Sequence, residues 1–275
     1  MGLIYNKIFL EHETGLHPEN KNRLKHFKHL PDSRLDYDEK VLELVHAKEH
    51  IETVRKACEK QIPLDFDTVT CRKSFEVAVY AANAAIKASS SEKHAFALVR
   101  PPGHHAGRNY STGFCLFNNL AIACQHQLNQ GKRIAVIDWD LHHGNGTQDI
   151  FLGKKNILFV SLHQSPCYPG TGLTSGKNCF NYPLPFACND KTYINALNEA
   201  EKLIQEFNPD LVACSAGFDS YYKDFEMLGP GNGFKLTKKS LERIKNILKP
   251  FRHFFVLEGG YNPESIKEGV EVFMD

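Results

Sequence analysis

From residue 95 onward, short apolar runs bounded by glycine, proline or aspartate alternate with stretches of helical spacing. Ala95 to Val99, Ile134 to Asp138, Ile157 to Leu162, Leu211 to Ser215 and His253 to Leu257 read as buried strands. Between and after them, 116–130, 147–152, 193–207, 236–248 and 263–270 carry the apolar recurrence of helices. Strands alternating with helices imply right-handed crossovers and a mostly parallel sheet covered on both faces. The expected fold class is therefore α/β, one three-layer domain over residues 1–275. Upstream the pattern is weaker. Residues 1–36 are polar and irregular, and the basic run HPENKNRLKHFKHL reads as a solvated helix face. Val41, Leu44, Val45, Ile51 and Val54 predict one helix from Asp38 to Lys60, and Ser74 predicts the cap of an alanine-rich helix reaching Ala88. The turn-rich stretch after Leu162 is long for a structureless connection, so it is expected to form a wall of a functional site.

The polar residues that follow each predicted strand sharpen this picture. His104 and His105 follow the first run, and Asp138, Asp140, His142, His143 and Asn145 follow the second. His163 and Tyr168 follow the third, Asp219 the fourth, and Tyr261 the fifth. In parallel α/β sheets ligands bind at the carboxyl edge, because the loops open outward there together. Asp138, Asp140 and His142 sit two apart, so strand alternation would point them the same way. Buried aspartate is costly unless paired or holding a cation. Asp140, His142 and Asp219 suit a metal site with one open position, the pattern of catalytic rather than structural zinc. Such an ion acidifies a water and polarises a carbonyl. Two histidines can then move the proton, and Tyr261, after Gly259 and Gly260, can donate to a developing oxyanion.

Composition narrows the class rather than the chemistry. The chain has 275 residues, 42% hydrophobic and 24% charged, with a formal net charge of +1. That balance argues for no nucleic-acid or membrane-surface partner. No secretory signal or membrane-length apolar run is visible. Eight cysteines without a Cys-x-x-Cys pair fit reduced thiols in a cytoplasmic protein. Cys115 reads as a packing thiol, His143 and His163 as structural, and Asp65 and Asp67 as turn residues.

In order, RPPGHHA, GFCLFNN, DWDLHHGNGT, SAGFD and EGGYN resemble the zinc-dependent histone deacetylases and acetylpolyamine amidohydrolases, over nearly the whole chain. The resemblance implies the arginase–deacetylase fold with about eight strands. It also implies removal of an acetyl or other acyl group from the amine of a lysine or a polyamine. Position by position it gives Asp140, His142 and Asp219 as ligands of one Zn2+ and His105 as general base and acid. His104 becomes its electrostatic partner and Asp138 the carboxylate that orients His104. Asn145 pairs with His105, in the branch with asparagine rather than aspartate there. Tyr261 becomes the transition-state tyrosine, Gly113 and Phe114 a tunnel wall, and Tyr168 the opposing aromatic, with Gly260 beside the substrate. A structural K+ would draw on the backbone of Asp138, Asp140 and His142 and on Ser161 and Leu162. Counted without a gap from Asp219, Glu226 falls where polyamine-selective relatives carry a glutamate; with a gap, Leu228 takes that place.

Two other readings share these residues. A binuclear ureohydrolase would use Asp138 and Asp140 as bridging ligands, and a non-catalytic relative would bind the acyl group without turnover.

Overall fold

The computed structural model describes residues 2–274. Its seven strands are β1 (Gly2–Ile4), β2 (Ala95–Ala97), β3 (Ile134–Asp138), β4 (Ile157–Gln164), β5 (Cys179–Leu184), β6 (Leu211–Ala216) and β7 (His253–Leu257). All pair in parallel, in the order β1-β2-β7-β6-β3-β4-β5. The main helices are α1 (Lys48–Lys60), α2 (Ser74–Ser90), α3 (Asn119–Leu128), α4 (Asn145–Phe151), α5 (Asp190–Phe207), α6 (Lys238–Leu248) and α7 (Pro263–Met274). Helices α2 and α3 pack on each other and on the β2, β7, β3 and β6 side, while α5, α6 and α7 pack in series with α5 against β4. Every residue of β3, β4 and β6 is buried, as continuous apolar strands between two helical layers must be.

The sheet has seven strands among the described residues where about eight were expected. Its two edge strands escaped the sequence pattern. β1 is only three residues long. β5 lies inside the supposed loop, and its Pro183 lacks the N–H that a central strand would need, which an edge tolerates. The predicted helix over 38–60 is two pieces. A 3-10 helix, Glu39–Leu44, is capped by Asp38, and α1 starts only at Lys48. Between them His46 is committed to tertiary bonds, its Nδ1–H to the Gly107 carbonyl and its Nε2 to the Asn118 N–H. Ser74 does not cap α2. Its Oγ accepts the Cys71 N–H at 2.8 Å and meets His12 Nδ1 at 2.7 Å, closing the turn before the helix.

The chain runs outward from β3 through β4 to β5, then returns to lay β6 and β7 on the other side of β3. The strand order therefore reverses between β3 and β6, where a crevice opens at the carboxyl edge. Register aligns Asp138 with Ser161 of β4 and Ser215 of β6, so the loops leave the sheet at one level.

Candidate active site

Strand β3 stops at Asp138, so strand alternation does not bring the acidic cluster together. Two side-chain turns do. Asp138 Oδ1 accepts the Asp140 N–H at 3.1 Å, and Asp140 Oδ1 accepts the His142 N–H at 2.9 Å. Asp219, beyond β6, accepts the Leu141 N–H at 2.9 Å and is thereby fixed to the same loop. His142 Nδ1 lies 3.2 Å from Asp140 Oδ1 and 3.0 Å from Asp219 Oδ2. One ligand atom from each of Asp140, His142 and Asp219 falls within 4.8 Å of the others.

Both carboxylates of this cluster are fully buried. Burial, then repulsion from Asp140, pushes the Asp219 carboxyl up to about 6. Two such groups on one point suit a cation that removes the repulsion. The surrounding backbone makes room for them. A Cβ on Gly217 would stand 2.2 Å from Asp140 Oδ2, and one on Gly259 would stand 2.5 Å from Asp140 Oδ2 and from Asp219 Oδ2. Two oxygens and an imidazole nitrogen are a donor set that fits Zn2+ or a similar divalent ion.

The histidine pair comes from the loop after β2. His104 Nδ1 meets Asp138 Oδ2 at 3.0 Å, and His105 Nδ1 meets Asn145 Oδ1 at 2.7 Å. Burial opposes a charge on His104, but Asp140 and Asp138 outweigh it and raise its pKa to about 10. Burial, then His104 and His142, hold His105 well below its ordinary 6.5. At neutral pH one ring is therefore charged and its neighbour neutral, their centroids 4.0 Å apart. Gly113 has φ +56, and a Cβ there would meet the His105 ring at 2.5 Å. Sequence reasoning missed Glu258, whose Oε2 accepts the Gly103 and His104 N–H groups at 2.7 and 3.0 Å. Its one signal was a glutamate at the end of a buried strand.

Tyr261 follows Gly260, whose φ is +114. Asp224, buried and also missed, accepts the Tyr261 N–H at 2.5 Å and the Asn262 N–H at 3.1 Å. Arg23 donates through Nε to the Gly260 carbonyl and through a terminal nitrogen to the Glu258 carbonyl. Its guanidinium stands 5.3 Å from the Tyr261 ring and is paired with Glu19 at 2.9 Å. Arg23 and Glu19 are each 1% exposed, so the basic run read as a solvated face has its central arginine in the interior. The lysines at 21, 25 and 28 are exposed as that reading required.

These groups meet at the floor of a cavity of about 330 Å³. His105, His142 and Tyr261 reach it from below, and Gly113, Phe114 and Tyr168 wall it. Phe114 stands edge-on to Tyr261 at 5.8 Å, and Tyr168 to His105 at 5.1 Å. The Tyr168 hydroxyl is fixed to Thr112 Oγ1 at 2.7 Å, and Thr112 to Asp65 at 2.6 Å. At the mouth Asp67 pairs with His17 at 3.0 Å, beside Phe66. Asp67 thus belongs to the rim, whereas Asp65 makes the expected turn, its Oδ1 accepting the Asp67 N–H at 3.0 Å. Glu226 is exposed and outside the lining, whereas Met227 and Leu228 are in it, the arrangement a gap after Asp219 produces. His143 and His163 fasten the loop after β4, through Thr171 Oγ1 at 2.8 Å and the Gly172 carbonyl at 3.1 Å. Ser161 Oγ is engaged with His163 Nδ1. Cys115 is buried, its thiol raised well above the usual range by burial.

The sequence profile of the histone deacetylase domain matches residues 17–275. A probable deacetylase of Archaeoglobus fulgidus is 34% identical over 96% of this chain and 82% of its own length. Acetylpolyamine amidohydrolase 2 of Pseudomonas aeruginosa is 38% identical over 65% of this chain and 54% of its own. Among solved structures, the HD domain of HDA15 superposes with a TM-score of 0.91 at 31% identity, covering 100% of this chain and 90% of that one. An acetylpolyamine aminohydrolase of Burkholderia pseudomallei shares the fold, with a TM-score of 0.85 at 24% identity over 100% of this chain and 97% of that one.

Proposed function

This chain belongs to the histone deacetylase family of hydrolases, and from that premise we propose that it is a zinc-dependent amidohydrolase acting on the acylated amine of a lysine side chain. The observation that carries the reading is the meeting, at one cavity floor, of a three-donor acidic cluster, a charged–neutral histidine pair and a tyrosine. A Zn2+ held by Asp140, His142 and Asp219 supplies polarisation of the acyl carbonyl and acidification of the attacking water.

The chain's own groups do the rest. Neutral His105 takes the proton of the water and returns it to the departing amine. His104, bonded to Asp138 at 3.0 Å, is the electrostatic partner that shapes the field beside it. The Tyr261 hydroxyl donates to the oxygen that becomes negative, and Gly260 gives its loop the positive φ it needs. Phe114 and Tyr168, which wall the cavity together with Gly113, hold a thin methylene stem and exclude water from it. A structural K+ beside the Asp138–Ser161 register, involving Asp140, His142 and Leu162, is part of the same reading. So is a single catalytic domain in a reducing cytoplasm, which the eight unpaired cysteines support.

A lysine in a peptide is favoured over a polyamine because the carboxylate lining the mouth, Asp67, is already paired with His17 at 3.0 Å, and its neighbours there are apolar. Phe66 is 87% exposed there and Met227 58%, while Glu226 points elsewhere than the lining. Among the described residues no helix is long and apolar enough to cross a membrane. A ureohydrolase is disfavoured by Asp138, whose Oδ2 is committed to His104. The test compares kcat/KM for acetyl-lysine peptides, longer acyl-lysines and N-acetylated polyamines, with a chelator control. Preference for a polyamine overturns the substrate class; inactivity on all of them overturns the enzyme.

A further inference from the structure

Asn145 is ambiguous as a partner for a catalytic histidine. Its side chain carries an acceptor and a donor of nearly the same shape, and turning the amide over exchanges them. If oxygen faces His105, the ring is protonated at Nδ1 and its Nε2 is a free base. If nitrogen faces it, Nδ1 must carry the lone pair, the proton moves to Nε2, and the ring cannot take a proton from water. A carboxylate in this position would have no such ambiguity.

We propose that Tyr110 and Asp149 are positioning residues that lock the Asn145 amide, and through it the tautomer of His105. Asn145 Nδ2 stands 3.2 Å from the Tyr110 hydroxyl, which in turn donates to Asp149 Oδ2 at 2.5 Å. The direction of this chain follows from counting hydrogens. Tyrosine has one hydroxyl proton, and the exposed carboxylate of Asp149 only accepts, so that proton goes to Asp149. The Tyr110 oxygen is left as an acceptor and must be met by the NH2 of Asn145. The Asn145 oxygen is then turned to His105, 2.7 Å from Nδ1. An acceptor at the surface thereby fixes the proton of the base at the cavity floor.

The arrangement is built rather than incidental. Asn145 and Asp149 lie one turn apart on α4 and so share a face. Tyr110 is seated by Gly107, whose N–H donates to the Tyr110 carbonyl at 3.0 Å. A Cβ on Gly107 would fall 2.3 Å from the Tyr110 ring. Burial, then the bond to Asp149, push the Tyr110 phenol well above its ordinary value of 10, so the hydroxyl keeps its proton at neutral pH.

The relay rests on His105 being the base, so the experiment reads the ring itself as well as turnover. In the full chain with 15N-labelled histidine, with and without Zn2+, His105 should show a pyrrole-type Nδ1 and a pyridine-type Nε2, assigned by their loss in His105→Ala. Tyr110→Phe should move both nitrogens toward a common average and lower kcat roughly 3- to 30-fold, with KM changed by less than about twofold. Asp149→Ala should do the same, and Asp149→Glu, whose carboxylate can only accept, should keep the wild-type spectrum. If Tyr110→Phe does not fold, Asp149→Ala at the exposed end of the relay decides. A wild-type tautomer in Tyr110→Phe, or in Asp149→Ala alone where the former fails, overturns the relay. Shifted resonances in a chain that hydrolyses no acylated amine would keep the relay and overturn the enzyme instead.

Discussion

Asp224 holds Tyr261 by its backbone: the buried carboxylate accepts the Tyr261 N–H at 2.5 Å and, with the same oxygen, the Asn262 N–H at 3.1 Å. Asp224 lies five residues beyond Asp219 on the loop that also brings Met227 and Leu228 to the cavity. One loop therefore supplies a proposed metal ligand, a pocket wall and the anchor of the proposed oxyanion donor. Asp224→Ala should lower kcat by about 10- to 100-fold with little change in metal content. Steady-state kinetics beside metal analysis checks this, and lost metal with unchanged kcat per bound ion would refute it.

Tyr261→Phe removes the hydroxyl while keeping the ring against Phe114 and Arg23. Turnover on an acetyl-lysine peptide should fall by a factor of order 10² or more, with KM nearly constant. A rate within a few fold of wild type would remove Tyr261 from the chemistry.

Metal content should be one divalent ion per chain, lost on chelation together with activity. Gly259→Ala places a methyl 2.5 Å from an oxygen of both Asp140 and Asp219. It should weaken metal binding by roughly 10-fold or more while the far-ultraviolet circular dichroism stays native. Titration with Zn2+ or Co2+ measures it, and unaltered affinity would mean the cluster is not the site.

Burial pushes the Glu258 carboxyl up to about 7 from an ordinary value of 4.5, against the pull of His104 and two backbone N–H groups. A carboxyl whose folded pKa is raised binds its proton more tightly in the native state. Its contribution to stability is therefore lost as pH climbs from about 4.5 to about 7, and is constant above. Glu258→Gln keeps an acceptor for Gly103 and His104 but cannot ionise. Its Tm relative to wild type should rise between about pH 5 and pH 7.5, and parallel Tm curves would contradict the shift.

Glu226 is exposed and outside the cavity lining, whereas Leu228 lines it. Glu226→Leu should change kcat/KM for acetylspermidine and acetyl-lysine peptide alike, by less than about twofold. Leu228→Ala should raise KM for the peptide several-fold. A selective loss on acetylspermidine in Glu226→Leu would restore the glutamate as a specificity residue.

The sequence by itself determined the five inner strands, their parallel alternation with helices, and the gathering of histidines, aspartates and tyrosine at one sheet edge. It could, because strands buried on both faces read as unbroken apolar runs, and because residues after parallel strands share an edge whatever the loops do. Only the tertiary structure decided how the acidic cluster closes, since turns from Asp138 and Asp140, not strand alternation, bring Asp140 onto His142. It also decided which polar residues are interior. Arg23 sits among exposed lysines in sequence, and its burial depends on carbonyls of Gly260 and Glu258 more than two hundred residues away. Glu258, Asp224, Tyr110 and Asp149 act on their partners through bonds between distant segments or across a helix turn. A linear pattern records composition and period, but not which donor finds which acceptor.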